Sequence, residues 1–282
     1  MLYLLFAIVS SASMALALRK FRSPSGNRYG ILLGNYLTCI LLALVLTPRG
    51  QSVFHASPRT LLLGAVTGFF YVAALVGMQT SVHRSGAGLT AAFARLGLLV
   101  SLAVSVLCFR EQPKALQLVG AALALAALVL IHGTGERGKA KSGFWLLLLT
   151  LLFSGCADAM SKVFEQLGDA AENTAFFFWL FLTALLLTVG LAVWEGVRSR
   201  KPLRRQELAA GAVVGVPNYF SSFLLLRALQ SLPAFVAYPV YSTGTILLTL
   251  LAGALLFRER LSRRQAVGVA LILAALALLN LT

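Results

Sequence analysis

Five apolar runs of membrane-crossing length are followed in this chain by five more, and the second set repeats the first. Phe109, Arg110 and Glu111 close one apolar run and lead into the next; Phe257, Arg258 and Glu259 do the same 148 residues later. Gln117 and Gly120 recur at that offset as Gln265 and Gly268. Gly64, Ala65, Val66 and Gly68 recur as Gly211, Ala212, Val213 and Gly215 at an offset of 147, which implies one inserted residue. Five crossings is an odd number. A chain that crosses a bilayer five times and then restarts the pattern enters its second half from the opposite face, so the duplication is an inverted repeat.

Composition sets the solvent. Hydrophobic residues make up 59% of the 282 and charged residues 12%, against roughly 25% charged in an ordinary soluble domain. Runs of about 17 to 25 apolar residues, rising ~1.5 Å per residue, fit a hydrocarbon core of ~30 Å. The expected spans are 2–18, 29–46, 61–79, 86–109 and 115–131, then 143–162, 174–196, 208–228, 233–257 and 266–281. The first run lacks a basic leader and a small-residue cleavage site, and reads as a span. The predicted fold is an all-α integral membrane protein. Its ten transmembrane helices form two inverted five-helix repeats, 1–132 and 143–282, joined by a segment carrying Gly133, Gly135 and Gly138.

Charge orients the bundle. Connectors after spans one, three, five, seven and nine hold 17 of the 24 Lys and Arg, which places those connectors in the cytoplasm and both termini outside, in a plasma (inner) membrane. The net charge of +15 is this topological signal plus attraction to anionic headgroups, and no nucleic-acid partner is read from it. Cys39, Cys108 and Cys156 sit in or at the end of apolar runs, and His55, His83 and His132 lie in connectors or at span ends without ligand spacing. No metal, cofactor or catalytic constellation is expected, and no enzyme.

Polar groups inside spans carry the functional expectation, because each needs a partner or water. Tyr238, Tyr241, Ser242 and Thr245 share one face of span nine, and Gly211, Gly215, Asn218 and Ser222 one face of span eight, matched on span three by Gly64, Gly68 and Tyr71. Asn35, Thr38 and Cys39 form a shorter polar face on span two. Arg95 sits near the middle of span four, where an arginine costs about 2.5 kcal/mol or more. It is a carboxylate-binding group, a fixed counter-ion for Asp158 or a ligand of backbone carbonyls. Asp158 on span six, about 6 Å from the expected helix end, is a possible proton site or the partner of Lys162. The expected substrate-binding set is Arg95, Tyr71, Asn218, Tyr238, Tyr241 and Ser242. Pro217, Pro239 and Gly244 are expected to interrupt spans eight and nine, and on span four Gly97 lies next to Leu96, the residue that matches Gly244 at the 148 offset. In the 148 register Arg95 matches Thr243. Phe176, Phe177, Phe178 and Trp179 cover more than half a helix circumference and suit lipid contact. Glu111 and Glu259 suit capping at helix junctions.

Ten spans, the five-plus-five inverted repeat and the Phe-Arg-Glu junction with its downstream glycine in both halves together resemble the EamA branch of the drug/metabolite transporter superfamily. The resemblance implies a secondary transporter, commonly an exporter of amino acids or other small metabolites, with a central cavity between the halves, no cofactor, and protons as a possible coupling ion. Many members have cytoplasmic termini, whereas the charge count here implies the reverse. Two other readings remain open: a flippase for a lipid or lipid-linked substrate, and an efflux pump for amphipathic cations. A groove open to lipid between helices favours the flippase; a polar centre closed to lipid favours the exporter.

Overall fold

The computed structural model describes residues 1–21, 27, 29–85, 87–132, 140–199, 202–256 and 263–280. Its α-helices are α1 (Leu2–Lys20), α2 (Gly30–Val45), α3 (Pro58–Ser85), α4 (Ala87–Leu96), α5 (Leu98–Phe109), α6 (Ala115–His132), α7 (Ala140–Leu167), α8 (Asn173–Ser199), α9 (Arg205–Leu229), α10 (Ala234–Leu256) and α11 (Arg263–Asn280). Five of the segments are long and apolar enough to cross a membrane, and five shorter apolar helices complete the ten. Large apolar side chains such as Phe6, Leu41, Leu107, Leu186 and Leu255 face outward, as a surface solvated by hydrocarbon requires. Phe257 to Glu259 and the 133–139 part of the segment joining the repeats lie outside the described residues.

The repeats pack by exchange. Gly64 and Gly68 of α3 lie against the backbone of α8, while their sequence partners Gly211 and Gly215 of α9 lie against the backbone of α2. Span three thus meets span seven as span eight meets span two, which is the relation a two-fold axis between the repeats demands. The same exchange pairs α3 with α7 and α9 with α1. With no hydrophobic drive between helices in lipid, close approach at small residues does the work, and a Cβ at any of these glycines would collide with the neighbouring helix.

Span four divides between Leu96 and Leu98, at the glycine expected to interrupt it. Two expectations need correction. Spans eight and nine are not interrupted, since α9 runs through Pro217 and α10 through Pro239 and Gly244. A proline removes a single N–H donor, and the remaining backbone bonds carry α9 and α10 through it; the facing residues also differ. Gly97 meets Gly155 of α7, so two backbones come into contact; Gly244 meets Ile8 of α1, whose side chain holds the helices apart. Phe176, Phe177 and Phe178 do not face lipid. They are at most 4% exposed and form a buried aromatic core with Phe164, Phe181 and Tyr219; Phe164 stacks on Phe176 with ring centroids 4.0 Å apart. Trp179 donates its indole N–H to the Val53 carbonyl at 3.0 Å. The cluster fills the space between α2, α3, α8 and α9, a demand that run composition does not reveal.

Candidate functional site

The break at Gly97 places Arg95 against α7. Gly97 and Gly155 let the two backbones touch, and the Ser101 hydroxyl donates to the Gly155 carbonyl at 3.2 Å. Arg95 ends the last turn of α4 and acts on the charge of Asp158, one turn along α7 from Gly155. The two form no direct ion pair, and both are half-buried. Asp158 is deeper than its expected ~6 Å. α7 continues to Leu167, nine residues beyond, or about 14 Å of helix. The extension is possible because Lys162 is satisfied elsewhere: it is 3% exposed and bonds Glu111 at 2.9 Å and Glu165 at 2.6 Å. The expected Lys162 to Asp158 pairing is therefore replaced, and Asp158 is left to Arg95.

Tyrosines close the cluster. Tyr71 of α3 and Tyr241 of α10 lie within electrostatic reach of Asp158 and of each other, and Tyr241 also feels Arg95. The Tyr71 hydroxyl pairs with Ser222 of α9 at 3.3 Å. Tyr238 donates to the backbone carbonyl of Asp158 at 2.7 Å, tying α10 to α7. Tyr241 faces Ser11 of α1 and Ser221 of α9, residues that sequence reasoning did not select; the only signal was the Ser10, Ser11 and Ser13 cluster in the first run. Asn218 sits apart from the charges. Its amide donates to Asn35 at 3.1 Å, with Cys39 beside it, in the seam between α2 and α9. Ser242 is buried next to Tyr241 and makes no hydrogen bond with the rest of the expected set.

The contacts also reset the register between the repeats. Gly97 to Gly244 and Ile8 to Gly155 are both steps of 147, so the inserted residue lies beyond these positions. In that register Arg95 matches Ser242 rather than Thr243, and Asp158 matches Ser11. The centre thus has one charged copy and one hydroxyl copy of the same pair of positions.

At the end of the bundle beyond Asp158, Glu111 joins three helices. In the connector after α5 it accepts the Ala234 N–H at the start of α10, through both oxygens at 3.1 and 3.3 Å, and pairs with Lys162 of α7. A carboxylate at a helix start is favoured by the exposed N–H groups there. The matching Glu259 lies outside the described residues. On a separate surface, a crevice of about 520 Å³ runs between α3, α7 and α8. Its floor is the α3 face that carries Phe69, Val76 and Thr80. At 3.6 residues per turn Tyr71 lies on the opposite face of that helix, so the crevice does not open onto the charged centre.

The EamA-like transporter family model matches residues 141–281. An uncharacterised protein of Haemophilus influenzae is 24% identical over 97% of this chain and 95% of its own length. A probable 4-amino-4-deoxy-L-arabinose-phosphoundecaprenol flippase subunit ArnE of Pectobacterium atrosepticum is 32% identical over 47% of this chain and 89% of its own. The ArnE of Erwinia tasmaniensis is 50% identical over 20% of this chain and 50% of its own. A solved crystal structure superposes with a TM-score of 0.78 at 15% identity, covering 99% of this chain and 96% of that one, a likeness of fold.

Proposed function

The chain belongs to the EamA-like transporter family, and from that premise we propose that it exports a small zwitterionic metabolite, such as an amino acid, across the inner membrane by alternating access. One observation carries the reading: a cation and an anion, Arg95 from the first repeat and Asp158 from the second, act on each other without pairing, in a half-buried centre between tyrosines. The Arg95 fork suits a carboxylate, with two parallel N–H···O bonds. Asp158 suits the ammonium, and Tyr71 and Tyr241 supply aromatic walls and hydroxyls. A substrate carrying both charges pairs both residues at once, which offsets the cost of keeping each of them deep in the membrane. If protons drive the cycle, Asp158 gives up its proton as the ammonium binds and takes one up again when the ammonium leaves. Rocking of one repeat against the other, with the bend taken up at Gly97, exposes the centre to each side in turn.

The similarity to two ArnE proteins favours a second reading, a flippase for an amine-bearing lipid phosphate. The same pair of charges suits an amine and a phosphate. The crevice on the far face of α3 counts against it, since it offers a lipid tail no route to the charged centre. Uptake into proteoliposomes under an imposed pH gradient separates the two. Radiolabelled amino acids screened alongside a fluorescent polyprenyl phosphate aminosugar should give counterflow of the amino acid and no translocation of the lipid. Lipid translocation without solute counterflow would sink the exporter reading in favour of the flippase.

A further inference from the structure

The crevice between α3, α7 and α8 has a charged rim at one end. Three helices run along it in a register set by their contacts. α8 lies parallel to α3, with Gly64 against Phe176 and Trp179 and Gly68 against Leu180 and Thr183; α7 lies antiparallel, with Gly77 against Thr150 and Gly143 against Arg84 and Ser85. Carried forward, that register brings Arg84 and Arg198 to the same depth. Both are exposed. Arg84 lies one turn beyond Thr80 on the face that floors the crevice, and Arg198 lies two turns beyond Leu191 on the face that walls it, over the Trp194 ring at 5.1 Å.

The lining itself takes only hydrocarbon. Its polar side chain, Thr80, already donates to the Val76 carbonyl at 2.8 Å, which leaves the lining side chains without a free donor for a polar solute. From Phe69 to Thr80 is eleven residues, about 16 Å, close to the ~15 Å of one leaflet's hydrocarbon. A slot one leaflet deep, open to the bilayer and ending in two arginines and an interfacial tryptophan, fits one molecule of the surrounding membrane.

We propose that this crevice binds an anionic phospholipid of the leaflet that meets the basic connectors, with one acyl chain in the slot and its phosphate between Arg84 and Arg198. Arginine takes phosphate through a planar fork, so the site distinguishes headgroups and not merely lipid from water. Polyprenyl chains are several times longer than the slot, which selects against them. The site does not depend on the substrate of the central cluster.

Native mass spectrometry of the whole protein in detergent, with phosphatidylglycerol and phosphatidylcholine of equal chain length added together, reads this directly. The expected result is retention of phosphatidylglycerol over phosphatidylcholine by about tenfold, as charge-assisted hydrogen bonds imply. Arg84→Gln with Arg198→Gln should remove the preference, Arg84→Lys with Arg198→Lys should keep part of it, and Ala73→Phe should lower retention of both lipids by narrowing the slot. Both arginines are exposed, so the fold should tolerate their loss, as a single size-exclusion peak will show. Equal retention by the parent, an unchanged preference in the double Gln variant, or displacement of phosphatidylglycerol by equimolar undecaprenyl phosphate would overturn the proposal.

Discussion

Arg95 and Asp158 divide the charge of the centre unequally between the repeats, since their matched positions hold Ser242 and Ser11. Recognition of a zwitterion therefore rests on two side chains, and each has a separable effect. Arg95→Gln should lower kcat/KM for an amino acid by about tenfold to a hundredfold, the range expected for a charge-assisted pair, while leaving an amine without a carboxylate unaffected; Asp158→Asn should lower it for the amino acid and the amine alike, while leaving a carboxylate without an amine unaffected. Equal losses on the amine and the carboxylate in either variant would show the pair to be structural. Tyr238 is different in kind, because its partner is the backbone carbonyl of Asp158. Tyr238→Phe should cost about 0.5–1.5 kcal/mol in thermal unfolding and leave substrate preference unchanged. Glu111 governs acid stability. Burial opposes its charge, but Lys162 and the Ala234 N–H outweigh burial and hold its carboxyl below the ordinary value of 4.5. A group that ionises more readily when folded contributes fully above the unfolded value and loses that contribution as pH falls through the folded one. Glu111→Gln should thus lower the unfolding midpoint at pH 7, and its gap from the parent should close as the pH drops below about 4.5. A gap that stays constant from pH 7 to 3.5 would show that the carboxylate charge is not what matters.

Among the helices, the matched glycines make a quantitative test of the exchange packing. A Cβ on Gly68 would meet the Leu180 carbonyl and Thr183, and one on Gly215 the Asn35 carbonyl and Thr38. Gly68→Ala and Gly215→Ala should each destabilise by about 1–3 kcal/mol, the usual cost of overpacking, and by similar amounts, because the contact is the same one made twice. The exchange fails at one place, and that place is informative. Where Gly97 faces Gly155 the helix breaks; where Gly244 faces Ile8 it does not. Proline was the wrong signal for a break here. α10 passes through Pro239 with Thr243 bonded back to the Pro239 carbonyl, and the division falls at a glycine instead, between Leu96 and Leu98. The asymmetry leaves span four divided in one repeat and its match, span nine, continuous in the other.

Across the whole molecule, orientation is the property most open to a single experiment. A reporter fused at Thr282 should be extracytoplasmic, because the connector before the last span carries Arg258, Arg260, Arg263 and Arg264; a cytoplasmic signal would reverse the export direction read from it. Run length and charge are properties of the chain taken in one dimension. For that reason the membrane as solvent, the apolar spans and Arg95 as a polar group deep in span four were legible in the sequence alone, whereas Asp158 was read about 6 Å from a helix end that the structure moves five residues on, to Leu167. Which groups meet is a property of how helices turn about their axes and how closely they approach, and no run of letters contains it. Only the tertiary structure decided that Lys162 belongs to Glu111 and Glu165 and leaves Asp158 to Arg95, and that Ser11 and Ser221 join the centre while Asn218 is held by Asn35. It also decided that three aromatic positions suited to lipid, Phe176, Phe177 and Phe178, pack inward, because a helix in a bilayer finds apolar surroundings on every side and packing alone selects the face it buries.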